Sequence, residues 1–225
     1  MEGGFGYFGK IPSQGDFLRG GLSPTFLDPW DTWLQRAIVT AREALGPAWQ
    51  AAYTSAPIWR FALSPGVCGP SGAIGVVMPS IDRVGRQFPL TLAVETGEAH
   101  AWPAYRAADA LFAPLEEVAL SMLDDDAGRD GLEAGLDGLA VQPAGADGRE
   151  IPLGRAAIEG IGDPQRALAD RLIAQEGRLT LWGSEVEGTQ RLIACDGMPG
   201  FAEIPTLFAI TAAPWTSADA QEAAE

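Results

Sequence analysis

A chain of 225 residues with 47% hydrophobic and 20% charged residues is long enough to bury a core, as one large domain or two small ones, and is not of disordered composition. Its formal net charge is −15, its one lysine is Lys10 and its arginines are dispersed, which disfavours binding to nucleic acid or to anionic membrane surfaces. No run of about 18 apolar residues occurs, so no direct membrane insertion is expected. The start, Met1-Glu2-Gly3-Gly4, lacks the basic and apolar stretches of a secretory signal, and two distant cysteines, Cys68 and Cys195, do not make a disulfide framework. The expected location is therefore cytoplasmic, with both thiols reduced and buried.

Taken in order, Phe5–Phe8 reads as a short aromatic strand, followed by a loop rich in glycine and proline over residues 9–16. An amphipathic helix follows, capped by Ser23-Pro24 or by Asp28-Pro29. Phe26, Trp30, Trp33/Leu34, Ile38, Ala41 and Leu45 share its inner face, and Gly46-Pro47 ends it. A short helix is predicted from Ala48 to Thr54. Three strands come next: Ile58–Leu63 with Trp59, Phe61 and Leu63 on one face, Ala73–Met78 buried on both faces, and Phe88–Val94.

Residues 101–123 form a helix with Tyr105, Ala108, Phe112, Leu115, Ala119 and Met122 inward, kinked or broken at Pro114. Residues 124–150 read as loop with one short helix near Leu132–Leu139. Asp163-Pro164 starts a helix to Gln175, Arg178–Gly183 and Gln190–Cys195 form a hairpin, and a final helix spans Phe201–Ile210. Three consecutive strands joined by short loops favour antiparallel pairing. The fold class is α+β, a layered fold with a mixed, mostly antiparallel central sheet flanked by helices. One domain over 1–215 is expected, with a possible subdomain at 151–215 carrying the hairpin at 178–195, and a disordered acidic tail at 216–225.

The charge is uneven: residues 1–94 carry net +1, residues 95–150 net −10 and residues 151–225 net −6. The acidic part is either a solvated surface or a face that steers a basic partner. The single histidine, His100, precedes a helix with no nucleophile motif nearby, and no zinc-ligand spacing or phosphate-binding glycine loop occurs, so no cofactor and no metal are expected.

Polar clusters lie instead at Lys10, Gln14 and Asp16, and at Ser80, Asp82, Arg83 and Arg86. Arg60 sits inside an apolar strand. Such charges must be solvated or paired, and pairing of Asp16 or Asp82 with Arg60, Arg83 or Arg86 would meet that demand. Three roles are open: a salt-bridge network that fixes two loops, a recognition surface, or a hydrolase site with Asp16 and Asp82 as metal ligands or acid and base and with Arg60 or Arg86 binding an anion. Trp30, Trp33 and Trp59 belong to the core pattern, and Trp182 is either core or a partner anchor.

Several segments resemble the TagF family, also called ImpM, of type VI secretion-associated proteins. They are Gly6-Tyr7-Phe8-Gly9-Lys10-Ile11-Pro12-Ser13-Gln14-Gly15-Asp16-Phe17, Trp30-Asp31-Thr32-Trp33-Leu34, Pro57-Ile58-Trp59-Arg60-Phe61 and the long string from Gly75 through Pro79-Ser80-Ile81-Asp82-Arg83-Val84-Gly85-Arg86-Gln87-Phe88-Pro89 to Leu90. Leu181-Trp182 and Cys195-Asp196-Gly197-Met198-Pro199 match more loosely. The resemblance implies a bacterial post-translational repressor of type VI secretion. Its implied partner is a cytoplasmic scaffold protein with a forkhead-associated domain, held away from the membrane apparatus. Some relatives carry a fused phosphatase domain; this sequence has no metal-binding aspartate set for one, so that activity is not carried over. The resemblance brings no catalytic residues.

Overall fold

The computed structural model describes residues 4–140, 156–160, 178–209 and 216–217, with 156–160 and 216–217 described by their backbone alone. Among these residues nine strands form one sheet: β1 Gly6–Gly9, β2 Leu18–Gly20, β3 Trp59–Leu63, β4 Gly72–Met78, β5 Leu90–Gly97, β6 Ala156–Gly160, β7 Leu179–Val186, β8 Thr189–Asp196 and β9 Thr216–Ser217. Their spatial order is β2-β1-β5-β4-β3-β7-β8-β6-β9. All neighbours are antiparallel except β6 and β9, which run parallel. The fold is α+β with a mixed, mostly antiparallel sheet.

Among the described residues six α-helices cover the sheet: α1 Pro24–Leu45, α2 Trp49–Ser55, α3 Ala101–Ala107, α4 Asp109–Ser121, α5 Arg129–Leu136 and α6 Ile204–Phe208. Side chains alternate across each strand and feed two cores. On one face Ala62, Ile74, Val76, Met78, Leu92 and Leu181 pack with Tyr105, Phe112 and Leu115 of α3 and α4 and with Leu132 of α5. On the other, Trp59, Phe61, Leu63, Val77, Trp182 and Ile193 pack with Phe26, Trp30 and Trp33 of α1, Tyr53 of α2 and Leu207 of α6. Antiparallel sheets commonly leave one face to water. Here both faces are covered, which is why β4 is buried at every position.

The second core is aromatic. Trp30 lies parallel to Trp182 at 6.0 Å and tilted against Phe61 at 4.7 Å. Each buried indole N–H has a partner, as buried tryptophans require. Trp30 donates to Thr91 Oγ1 (2.9 Å) and Trp182 to Thr180 Oγ1 (3.1 Å). Trp33 and Trp59 donate to the carbonyls of Pro199 and Leu207, which ties the segment around α6 to the first half of the chain. Trp182 is fully buried and therefore core rather than an anchor for a partner. Cys68 and Cys195 are both buried and neither is in a disulfide, and burial, with a contribution from Glu95, pushes the Cys68 thiol up to about 12.

Several details differ from the expectations. Ser23, not Asp28, caps α1: its Oγ accepts from Phe26 N at 3.2 Å, and Glu95 in turn accepts from Ser23 N and Oγ. Pro29 therefore lies inside the helix. The helix over residues 101–123 breaks at Ala108, whose φ of −89° and ψ of 0° interrupt it, while Pro114 is carried inside α4. The break leaves Asp109 in the first turn of a new helix, where its charge faces the positive end of the dipole. Strand β2 was not foreseen.

The hairpin spans β7 and β8, turns at Glu187-Gly188, and β7 pairs with β3, so it continues the main sheet. Thr216 and Ser217 pair with β6. The helix expected at 163–175 and the tail beyond Ser217 lie outside the described residues.

Candidate functional site

β1 and β4 both pair with β5, so the loop after β1 and the loop between β4 and β5 leave the same end of the sheet. Gly9 makes the close approach: its φ is +143°, and a Cβ there would overlap the Pro89 carbonyl. Backbone bonds then join the two loops, with Arg83 N donating to Gln14 O at 2.9 Å.

Asp82 is the hub. It is 1% exposed, and Lys10 beside it is 6% exposed. Its Oδ1 accepts from the amides of Val84 (3.1 Å) and Arg86 (2.8 Å), closing a turn on its own loop in the manner aspartate favours. Its Oδ2 accepts from Lys10 Nζ (2.7 Å) and Arg86 Nε (2.5 Å). Gly85, at φ +83°, completes the turn, and its amide donates to Asp82 O. Burial works to raise the Asp82 pKa, but the hydrogen bonds from Lys10, Arg86 and Val84 outweigh it and hold the carboxyl well below the usual carboxylate range. A carboxylate offers about four lone-pair sites, and all of them are taken.

The remaining contacts brace this hub. Arg86 Nη2 donates to Gly15 O at 2.8 Å. Lys10 Nζ stands 4.9 Å over the Phe17 ring, which packs on Phe8 and Phe88. Beneath, Tyr53 Oη donates to Ser80 O and accepts from Ser80 N, and burial raises the tyrosine pKa. Trp49 Nε1 donates to Gln87 Oε1 at 2.7 Å. Ser80 thus acts through its backbone, while its buried Oγ has no partner among the described residues.

Of the seven sequence-derived site residues, Lys10, Ser80, Asp82, Arg83 and Arg86 come together; Asp16 and Arg60 do not join the hub. Asp16 is exposed and makes no ion pair among the described residues. Arg60 pairs with neither aspartate. Its Nε and Nη2 donate to the two oxygens of Glu116 on α4 at 2.6 and 2.8 Å, and its guanidinium lies over Phe112. The Glu116 hydrogen bonds raise the Arg60 pKa against the effect of burial. A polar cavity of about 60 Å³ beside it is lined by Arg60, Tyr105, Asp109, Ser184 and Arg191, and neither Asp16 nor Asp82 reaches it. Among the described residues no cluster of three or more His, Cys, Asp or Glu could hold a metal ion. Sequence reasoning missed Glu116, Tyr53 and Gln87 as partners.

A search of curated proteins returns no match. Among solved structures the chain is similar to PA0076 from Pseudomonas aeruginosa PAO1, at 31% identity and a TM-score of 0.73, over 93% of this chain and 96% of that one. The family model for the TagF N-terminal domain, type VI secretion system-associated, matches residues 6–139, which hold β1 to α5 and both loops of the hub. By sequence over more than half its length and by fold over nearly all of it, this chain belongs to the TagF family of type VI secretion system-associated proteins.

Proposed function

We propose that this protein restrains type VI secretion from the cytoplasm by docking onto a scaffold protein that bears a forkhead-associated domain. Membership of a type VI secretion-associated family supports the setting. The observation that carries the docking mode is the state of Asp82: its four acceptor positions are filled by Lys10, Arg86 and Val84, so it is occupied in holding two loops rigid. A hydrolase reading that needs Asp82 as base or metal ligand gains no support from a carboxylate without a free lone pair. Rigid loops lower the ordering cost of association, which suits a binding surface. Among the described residues no helix is long and apolar enough to cross a membrane.

The test is direct. The purified chain and the forkhead-associated scaffold of the same secretion system are mixed and titrated by calorimetry, and secretion is measured in cells that overproduce the chain. Saturable binding together with reduced secretion is expected. A scaffold that shows no heat of binding and elutes separately in size-exclusion chromatography would sink the reading.

A further inference from the structure

We infer that the joined tip of the 9–17 and 79–89 loops is a docking knob for an acidic protein surface, contacting it through Phe17, Ile81, Arg83 and Val84, with the Lys10–Asp82–Arg86 hub as the support behind. This rests on the docking function proposed above and names the face that performs it.

Three observations converge on the tip. First, exposed large apolar side chains gather there: Val84 is 71%, Phe17 45% and Ile81 36% exposed. All three hang on the hub. The Val84 amide donates to Asp82, Phe17 lies under Lys10, and Ile81 bridges to Gln87 across the turn. Apolar surface on a protein rich in acids is informative when it is clustered rather than scattered.

Second, the local charge has the opposite sign to that of the molecule. Residues 9–17 and 79–89 carry three bases against two acids, net +1, on a chain of net −15. Lys10 and Arg86 share the single charge of Asp82, while the Arg83 side chain is exposed and forms no ion pair among the described residues. Within a Debye length of about 8 Å the nearest charges decide complementarity. The Ser13 end of the tip touches Ala127, next to Asp124, Asp125 and Asp126, so it is the Arg83 end that fits a partner surface with carboxylates around an apolar hollow.

Third, the tip is rigid. Arg83 N to Gln14 O, Arg86 Nη2 to Gly15 O and Lys10 Nζ to Asp82 cross-tie the loops, and three further bonds to Asp82 from Val84 and Arg86 fix the 79–89 loop on itself. An exposed apolar cluster on a fixed backbone is the arrangement in which a few residues dominate binding.

The competing face is the acidic turn after α4, where exposed Leu120 and Leu123 precede Asp124, Asp125 and Asp126. The experiment separates the two. Binding of the forkhead-associated scaffold is titrated with wild type, Arg83→Glu, Arg83→Lys, Val84→Asp and a triple Asp124→Asn, Asp125→Asn, Asp126→Asn variant, each checked for an unchanged unfolding midpoint. Arg83 and Val84 project into solvent, so these changes leave the fold intact.

Arg83→Glu and Val84→Asp are expected to weaken binding by about tenfold or more, Arg83→Lys to bind like wild type, and the triple variant to bind as tightly as wild type or more so. Wild-type binding that survives both tip variants, or that is lost only in the triple variant, overturns the knob and leaves the docking function standing. Absence of wild-type binding overturns both.

Discussion

Two ion-paired sites share this sheet, and they are built differently. At the sheet end, the Lys10 and Asp82 side chains are 8% and 0% exposed, and Asp82 receives four hydrogen bonds, three of them from its own loop and one from Lys10. In mid-sheet, the Arg60 and Glu116 side chains are 25% and 23% exposed and make one bidentate pair between β3 and α4. A buried charge is tolerated only when it is fully paired, so the first site has no tolerance for loss of a member. The second can fall back on water. One is a keystone of the loop tip, the other a clasp between layers.

The comparison is broken most severely by Asp82→Asn. The amide nitrogen would face donors that now find a carboxylate oxygen, leaving buried Lys10 without its counter-charge. The loss has a pH signature. The folded carboxyl titrates below its ordinary value of 3.8, so its contribution to stability is complete above about pH 4 and is lost as pH falls through the folded value. Urea midpoints of wild type and variant are therefore expected to differ fully at neutral pH and to converge below about pH 4. A gap that stays constant down to pH 2 contradicts the hub.

Lys10→Met comes next. It keeps the unbranched shape and most of the length of the side chain and removes the charged donor, while Arg86 still neutralises Asp82. A loss of about 3 kcal/mol is expected, at the low end for breaking a buried pair, read from equilibrium urea unfolding. The clasp is expected to yield less. A double-mutant cycle of Arg60→Gln and Glu116→Gln is predicted to give a coupling of about 1 kcal/mol, as for a partly solvated bidentate pair. A coupling as large as the Lys10 effect would erase the distinction between the sites.

The same contrast governs what could be read in the sequence. The hub was legible because its members lie in two compact strings whose glycines and prolines demand fixed loops; the fold was needed to select Arg86 among the arginines open to Asp82 and to add Lys10. Strand β4 and the inner face of α1 followed from apolar pattern alone. The clasp was half legible. Arg60 in a buried strand demands an acid, but Glu116 is 56 residues away and reaches it because α4 covers that face. Its signal was present: Glu116 lies one turn after Phe112, beside the buried row of α4. The helix break at Ala108 has no such signal, because proline marked Pro114 instead and helix propensity does not locate a tertiary turn. Strand β2 is three residues long and pairs only with β1, too short for a period to show.

Asp16 is the smallest and sharpest case, since it was grouped with the hub by sequence proximity and lies outside it. It is exposed, and its charge opposes those of Arg83 and Arg86 on the same tip. Asp16→Asn is therefore expected to change stability by less than about 0.5 kcal/mol, as for a surface substitution away from caps and pairs. Its effect on docking has a definite sign. Removing the one exposed acid makes the tip more cationic, so affinity for an acidic surface rises by a factor of about two to three, and the rise fades as salt screens it. A fall in affinity on the same substitution would mean that the partner presents bases at this point, and the contact would then belong to the acidic side of the molecule.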